Sequence, residues 1–498
     1  MKTRSLLLLF SIACSLLMAS FLKAQDVKWY PVAAPAPKKD NAKIIMPAAR
    51  DYNAYSGVPL KVLFNHWLRD PNMLSAPDGY FYMVGTSERS SLPQPLVTSE
   101  RSNGWWYNDG IPLWRSKDLV NWETMGYVWS LEKDATWAKE YKYSPHTKTD
   151  DNAKVRAVWA PEIHYIKGNY WITYSMNYNG TGILKSISGK PEGPYRDIKT
   201  DGSLGGDIDS SLFEDTDGTV YYMTDGYDIA RMKPDMSGLA ENLRRQHFTP
   251  QAPWAEGITM MRVNDRYIWI GAGNTIVEKD GKEMRTYDCF SATSSSPYGP
   301  FEDRYRAIAY AGHNNIFKDH DGNLWSTQFH PQPHMEKALE PAIIPVTMDE
   351  EGYITIRRTT PSPEWKYTTT KPQKNWINND FNDKKWITGK AGFGNPEIRN
   401  TGTYTDVATK MEMNDIWMRK AFEISGNASK PALFLRYTGD IKIWINGQEI
   451  YKKSNIINEY ETVPVSASIL KSGSNIIAVA FTNKADLSYV DIGLVDLP

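Results

Sequence analysis

The chain has 498 residues, a formal net charge of −1 at pH 7, a hydrophobic content of 41%, an aromatic content of 12% and two cysteines. That length allows two domains, each with a sizeable core. A near-zero charge with no basic block argues against a nucleic-acid partner and against an electrostatic membrane surface.

Residues 1–24 read as a secretory signal peptide: Lys2 and Arg4, an apolar run from Leu6 onward, and Leu22-Lys23-Ala24 before Gln25. The expectation is an exported, soluble protein, periplasmic or extracellular. Cys14 would permit a lipid anchor, but Ser11 stands three places before it where an aliphatic residue belongs, which disfavours anchoring. No other apolar run approaches the roughly 20 residues that a bilayer demands, so no transmembrane segment is expected. After cleavage only Cys289 would remain, leaving no internal disulfide, so burial has to hold the fold together. Residues 25–60, with Pro31, Pro35 and Pro37, read as an N-terminal extension.

From 61 to 358 a unit recurs five times: a short apolar run, a turn pair and an aromatic strand. It is seen at PNMLSAPDGYFYMVGTS from 71, PEIHYIKGNYWITYS from 161, DIDSSLFEDTDGTVYYMTDG from 207, GITMMRVNDRYIWIGAG from 257 and NNIFKDHDGNLWSTQFH from 314. Self-similarity at roughly 40–50 residues, carried by short strands, predicts a five-bladed β-propeller. Counting nine positions back from the second turn residues (Gly79, Gly168, Gly218, Asp265, Gly322) lands on Asp70, Trp159, Asp209, Glu256 and His313. Equal offsets predict that these five side chains share one level of the central channel. Glu162 has an odd offset from the register and reads as a structural carboxylate unless a bulge turns it inward. The DTDG and DHDG stretches lack the later glutamate of a calcium loop and read as hairpin turns.

Residues 359–372, rich in Thr and Pro, read as a linker. Residues 373–498 alternate as strands, with turn signals at Asn446-Gly447 and Ser472-Gly473. The fold class expected is therefore all-β, a five-bladed propeller followed by a β-sandwich.

Several motifs carry a family resemblance: RDP at 69–71, SKDLVNWE at 116–123, WAPEIHYIKGNYWITYS at 159–175, DIDSSLFEDTDG from 207, EGITM at 256–260 and GHNNIFKDHDG at 312–322. In this order they resemble glycoside hydrolase family 43, a five-bladed propeller family. The resemblance implies an inverting hydrolase in which Asp70 is the general base, Glu256 the general acid, and Asp209 the carboxylate that orients the acid and adjusts its pKa. It also implies that His313 helps hold a calcium ion in the channel through water, a structural ion, with no organic cofactor. Ser210 and Ile258-Thr259 depart from the residues usual in the family and bear on the sugar pocket. Residues 373–498 resemble the galactose-binding-like jelly rolls appended to many such hydrolases, and aromatics at core spacing favour a structural role for them.

The chemistry agrees. Inversion needs one carboxylic acid on the leaving oxygen and one carboxylate on a water at the opposite face, roughly 6.5–9.5 Å apart. Asp70 and Glu256 lie on blades across the channel, and Asp209 on the blade beside Glu256. Trp159 is a candidate wall of the sugar subsite, and His66, Trp67 and Trp105 are candidate pocket residues. The carbohydrate substrate expected is a terminal α-L-arabinofuranosyl residue of plant polysaccharide, taken in an exo-acting pocket. β-Xylosidase and β-galactofuranosidase or galactanase activities share the same carboxylates. The competing class is a non-catalytic carbohydrate-binding protein, against which retention of all three carboxylates argues.

Overall fold

In this computed structural model the described residues are 61–87, 108, 110–140, 157–330, 340–356 and 364–496, without 65, 178, 253, 280–281, 309, 396–406, 412–413, 425–430 and 485–487. The expected signal peptide and N-terminal extension lie outside them. Among the described residues no helix is long and apolar enough to cross a membrane.

Five sheets of four or five strands follow in chain order, antiparallel except for the parallel outer pairing of Phe248–Thr249 with Phe301–Ile308 in the fourth. Their innermost strands are Leu68–Ser75, Val158–Ile166, Ser211–Glu214, Glu256–Val263 and Ile316–Lys318. The fifth sheet is completed from both directions: along Glu340–Met348, Lys61 and Val62 pair with Ile343 and Ala342, and Ile354–Ile356 pairs with Val346 to Met348. The ring is thus closed by the first described strand.

Each blade is buried on both faces, which explains near-continuous apolar runs such as FYMV at 81–84. Phe81 and Met83 join Phe317 and Ile343 in the core between the first and fifth blades. Tyr82 and Val84 join Ile163 and Ile172 between the first and second. The remaining junctions hold equivalent cores, around Tyr222, Trp269 and Ile344. Cys289 is fully enclosed in the last of these.

A kink repeats at the head of every innermost strand. Asp70 (φ 50°), Ala160 (φ 41°), Asp209 (φ 54°), Gly257 (φ 58°) and His313 (φ 53°) all take left-handed backbone. In the first, second and fourth blades the strand pairing slips at these residues, marking a β-bulge. The expectation of one equal level is corrected here. In the first, third and fifth blades the hairpin loop has five residues, 76–80, 215–219 and 319–323. In the second and fourth it has two, 167–168 and 264–265, and the strand before it is one residue longer. A count from the turn therefore finds the kinked residue in three blades. In the other two it runs one place past the kink, to Trp159 and Glu256.

In all but the fourth blade, the residue two places after the kink is tied sideways to a neighbouring blade. Asn72 Oδ1 accepts from Ile163 N–H at 3.0 Å, and Ser211 Oγ donates to Glu162 Oε2 at 2.6 Å. Asn315 closes the ring by accepting from Met73 N–H at 2.9 Å and donating to Met73 O at 2.8 Å. The bulge does displace Glu162 from strict alternation, and it acts as one of these ties, with His164 Nε2 at 3.3 Å.

The C-terminal strands form one nine-stranded sheet around a core that includes Phe393, Ile416, Leu435, Ile443 and Val479. Its central strand, Pro431–Ile445, changes partner midway: Pro431 to Tyr437 pair with Tyr489–Asp496, and Gly439 to Ile445 with Gly473–Asn483. The sheet thus divides into two wings on one shared strand. Part of the expected linker belongs here. Glu364–Thr368 pairs with both Asp415–Ile424 and Ile387–Lys390, because Trp365 and Tyr367 alternate into the core beneath a Thr- and Pro-rich surface.

Replacing Asn315 by Ala leaves the Met73 backbone groups without their partner. A loss of about 1–3 kcal/mol in unfolding free energy is expected, measured by denaturant titration.

Candidate active site

The kinks bring Asp70, Asp209 and His313 together. Asp70 and Asp209 are each 5% exposed and His313 is 6% exposed. His313 Nδ1 lies 3.4 Å from Asp70 Oδ1 and 3.6 Å from Asp209 Oδ2. The other partners are short-range and specific. Thr86 Oγ1 donates to Asp70 Oδ2 at 2.8 Å while accepting from Ala160 N–H at 2.7 Å. Arg69 Nε lies 3.6 Å from Asp70 Oδ1. Asp209 Oδ2 accepts from Gly257 N–H at 3.1 Å, which fixes the backbone next to Glu256. Gly257 must be glycine, since a Cβ there would stand 2.9 Å from the His313 ring.

Glu256 is half-buried and pairs with Ala272 on the next strand. Tyr287 O–H donates to its Oε1 at 2.6 Å. Tyr287 is itself enclosed. Its hydroxyl is held far above the ordinary phenol range by burial first and then by the charges of Glu256, Asp70 and Asp209, with Arg69 opposing. Tyr287 on Glu256, Asp209 on the adjoining Gly257, and His313 between Asp209 and Asp70 join the three carboxylates in one cluster.

Residues 60–354 match the family model described as Glycosyl hydrolases family 43. The chain belongs to glycoside hydrolase family 43. It is 23% identical over 311 residues to a non-reducing end α-L-arabinofuranosidase of Bacteroides ovatus, a match covering 57% of this chain and 50% of that protein. It is 26% identical over 202 residues to a β-D-galactofuranosidase of Aspergillus niger, covering 35% of this chain and 56% of that one. The chain thus spans about half the length of these two curated relatives. Among solved structures, an endo-1,4-β-xylanase of Bacteroides thetaiotaomicron aligns with a TM-score of 0.44 and 21% identity over 61% of this chain and 97% of that chain.

The pocket candidates divide. Trp67 packs against Ala272, Tyr287 and Phe329, and so next to the phenol that donates to Glu256. His66 instead stands with its ring 5.3 Å from Trp114 and Nε2 3.2 Å from Ser87 Oγ. Trp159 is 4% exposed and packs with Ala157 and Ile208. It presents almost no ring face, so it is placed as packing and not as a subsite wall. Trp105 lies outside the described residues. Tyr287, Thr86 and Arg69 escaped the turn-counting argument, which samples only innermost strands and tests one position on each. Tyr287 follows from pairing carried one strand further: Glu256 faces Ala272, Ala272 faces Cys289, and Tyr287 is two places from Cys289 on the same face.

Calcium takes about six to eight oxygens. The expected role of His313 toward such an ion is through water, and the oxygen donors beside its imidazole are those of Asp70 and Asp209. Among the described residues no group of three or more His, Cys, Asp or Glu side chains is arranged to hold a metal.

Two shifts in this cluster act in one direction. Burial pushes the Asp209 carboxyl up to about 8, His313 pulling it down and Glu256 and Asp70 adding to the rise. Burial alone would lower His313, but Asp70 and Asp209, then Glu256 and Glu162, hold it above its usual value. Both groups bind protons more tightly folded than unfolded, so their contribution to stability falls as pH rises from about 4 to about 8. Asp209→Asn should flatten that decline. Melting temperatures of the variant and the wild type, measured across pH 5 to 8, should converge or cross toward the alkaline end.

Proposed function

We propose that this family 43 protein is an inverting glycoside hydrolase that removes terminal sugars from a plant-type polysaccharide or oligosaccharide. The observation that carries this is the gathering of Asp70, Asp209 and Glu256, from three blades, around one imidazole and one phenol. In this reading Asp70 takes a proton from a water whose oxygen attacks the anomeric carbon, while Glu256 gives its proton to the glycosidic oxygen as the carbon–oxygen bond breaks. Thr86 anchors one oxygen of Asp70, and Asp209 sets the start of the strand that carries Glu256. Terminal α-L-arabinofuranosyl residues come first among substrates, because the relatives matched over 311 and 202 residues are both named for furanosyl sugars. β-Xylosyl and β-galactofuranosyl residues follow.

The wider reading is an exported enzyme, supported by the leader pattern of residues 1–24, with a galactose-binding-like jelly roll at its C-terminal side. The single core and the divided central strand of that sheet support the latter. No catalytic step is assigned to a calcium ion.

The test is hydrolysis of the 4-nitrophenyl glycosides of α-L-arabinofuranose, β-D-xylose, β-D-galactofuranose and β-D-galactose. Asp70→Asn and Glu256→Gln are each expected to reduce turnover by about 10²- to 10⁴-fold with melting temperature preserved. Proton NMR of the first-formed sugar should show the opposite anomer to the substrate. Near-wild-type rates in either variant, or a retained anomer, would overturn the assignment. Silence of the wild type across the panel and on arabino-oligosaccharides would favour a binding protein instead.

A further inference from the structure

We infer that Tyr287 is the positioning residue of the acid. Its hydroxyl makes Glu256 Oε1 an acceptor, so that the transferable proton sits on Oε2, and it stabilises the carboxylate left when that proton has gone. The inference rests on Glu256 being the general acid.

A protonated carboxyl has one O–H donor, and its other oxygen can only accept. With Tyr287 donating to Oε1 at 2.6 Å, the proton of the acid belongs on Oε2. The length is that of a charge-assisted O–H···O bond, which strengthens as negative charge develops on the acceptor. During cleavage the Oε2–H bond breaks and the proton joins the glycosidic oxygen. The carbon–oxygen bonding pair leaves with that oxygen, and water adds hydroxide to the anomeric carbon as Asp70 takes its remaining proton. Glu256 thus gains a full negative charge in the same step, and Tyr287 is the donor already aimed at it. Asp209, expected from the sequence to orient the acid, spends its Oδ2 on the Gly257 N–H. Among the described residues, the hydrogen bond found on the Glu256 side chain is the one from Tyr287.

The phenol is held from three sides. Its ring packs on Ala272 and Phe329. The next residue, Asp288, is fully buried and clamps the strand: it accepts from Arg306 Nη2 at 2.9 Å, with Arg306 Nε in ion-pair contact at 2.9 Å, from Tyr310 N–H at 2.8 Å and from Thr286 Oγ1 at 2.7 Å. Gly312 donates its N–H to Tyr287 O at 3.0 Å and lies flat against the ring, where any Cβ would collide with it. Burial beside three carboxylates also keeps the phenol protonated, and so a donor.

The test is a leaving-group series. Aryl glycosides of whichever sugar the wild type cleaves are compared, running from 2,4-dinitrophenol, which departs without a proton, through 4-nitrophenol to phenol, which needs one. Tyr287→Phe should lower kcat/KM by about 10- to 100-fold on the phenyl glycoside and by far less on the dinitrophenyl glycoside, following the pattern of Glu256→Gln. Gly312→Ala, which pushes the ring aside without removing it, should give the same tilt, and it carries the test if Tyr287→Phe fails to fold. A uniform loss across the series, or none, beside a steep Glu256→Gln would overturn the inference and leave the acid assignment standing. A flat series for Glu256→Gln would overturn the acid assignment itself.

Discussion

Two carboxylates, each 5% exposed, share one imidazole nitrogen, and the rest of the site is arranged to make that tolerable. Buried charges repel and lose solvation unless something of opposite sign or a donor meets them. Here the compensation comes from every side: His313 between the two acids, Arg69 and Thr86 on Asp70, a backbone N–H on Asp209 and a phenol on Glu256. Asp70 and Asp209 are buried alike, while Glu256 stays half-open. Asp209 is the member that holds backbone.

The local device that assembles the cluster is the left-handed kink. An Asp tolerates this conformation better than most residues, and two of the five kinked residues are Asp. The kink turns a side chain out of strand alternation and toward the axis, so the residues most in need of compensation sit where backbone and side chains of neighbouring blades can supply it.

The architecture was legible because its signal repeats. Five hairpins with the same aromatic strands state the blade number, and runs buried on both faces state that each sheet is sandwiched. Asp70, Asp209 and His313 were legible through the same count, since their blades share one hairpin length. Glu256 was found through an offset that in truth differs by one, because a two-residue turn replaced a five-residue loop. The same slip put Trp159 forward as a channel residue, and burial shows it as packing. Tyr287 was out of reach of a count along first strands, as its place depends on pairing across two further strands. The linker was misjudged where Trp365 and Tyr367 carry a strand under residues that resemble a spacer.

The closure of the fifth blade bears on how such a site can be made at all. Lys61 and Val62 leave synthesis nearly three hundred residues before the strand they complete, which is among the last of the ring. Pairings so distant in sequence form late, and Asp70 and His313 meet only across that closure. A growing chain can set Asp209 on the Gly257 backbone from neighbouring blades, but it brings Asp70 to His313 only when the ring shuts. The full cluster is therefore completed together with the propeller.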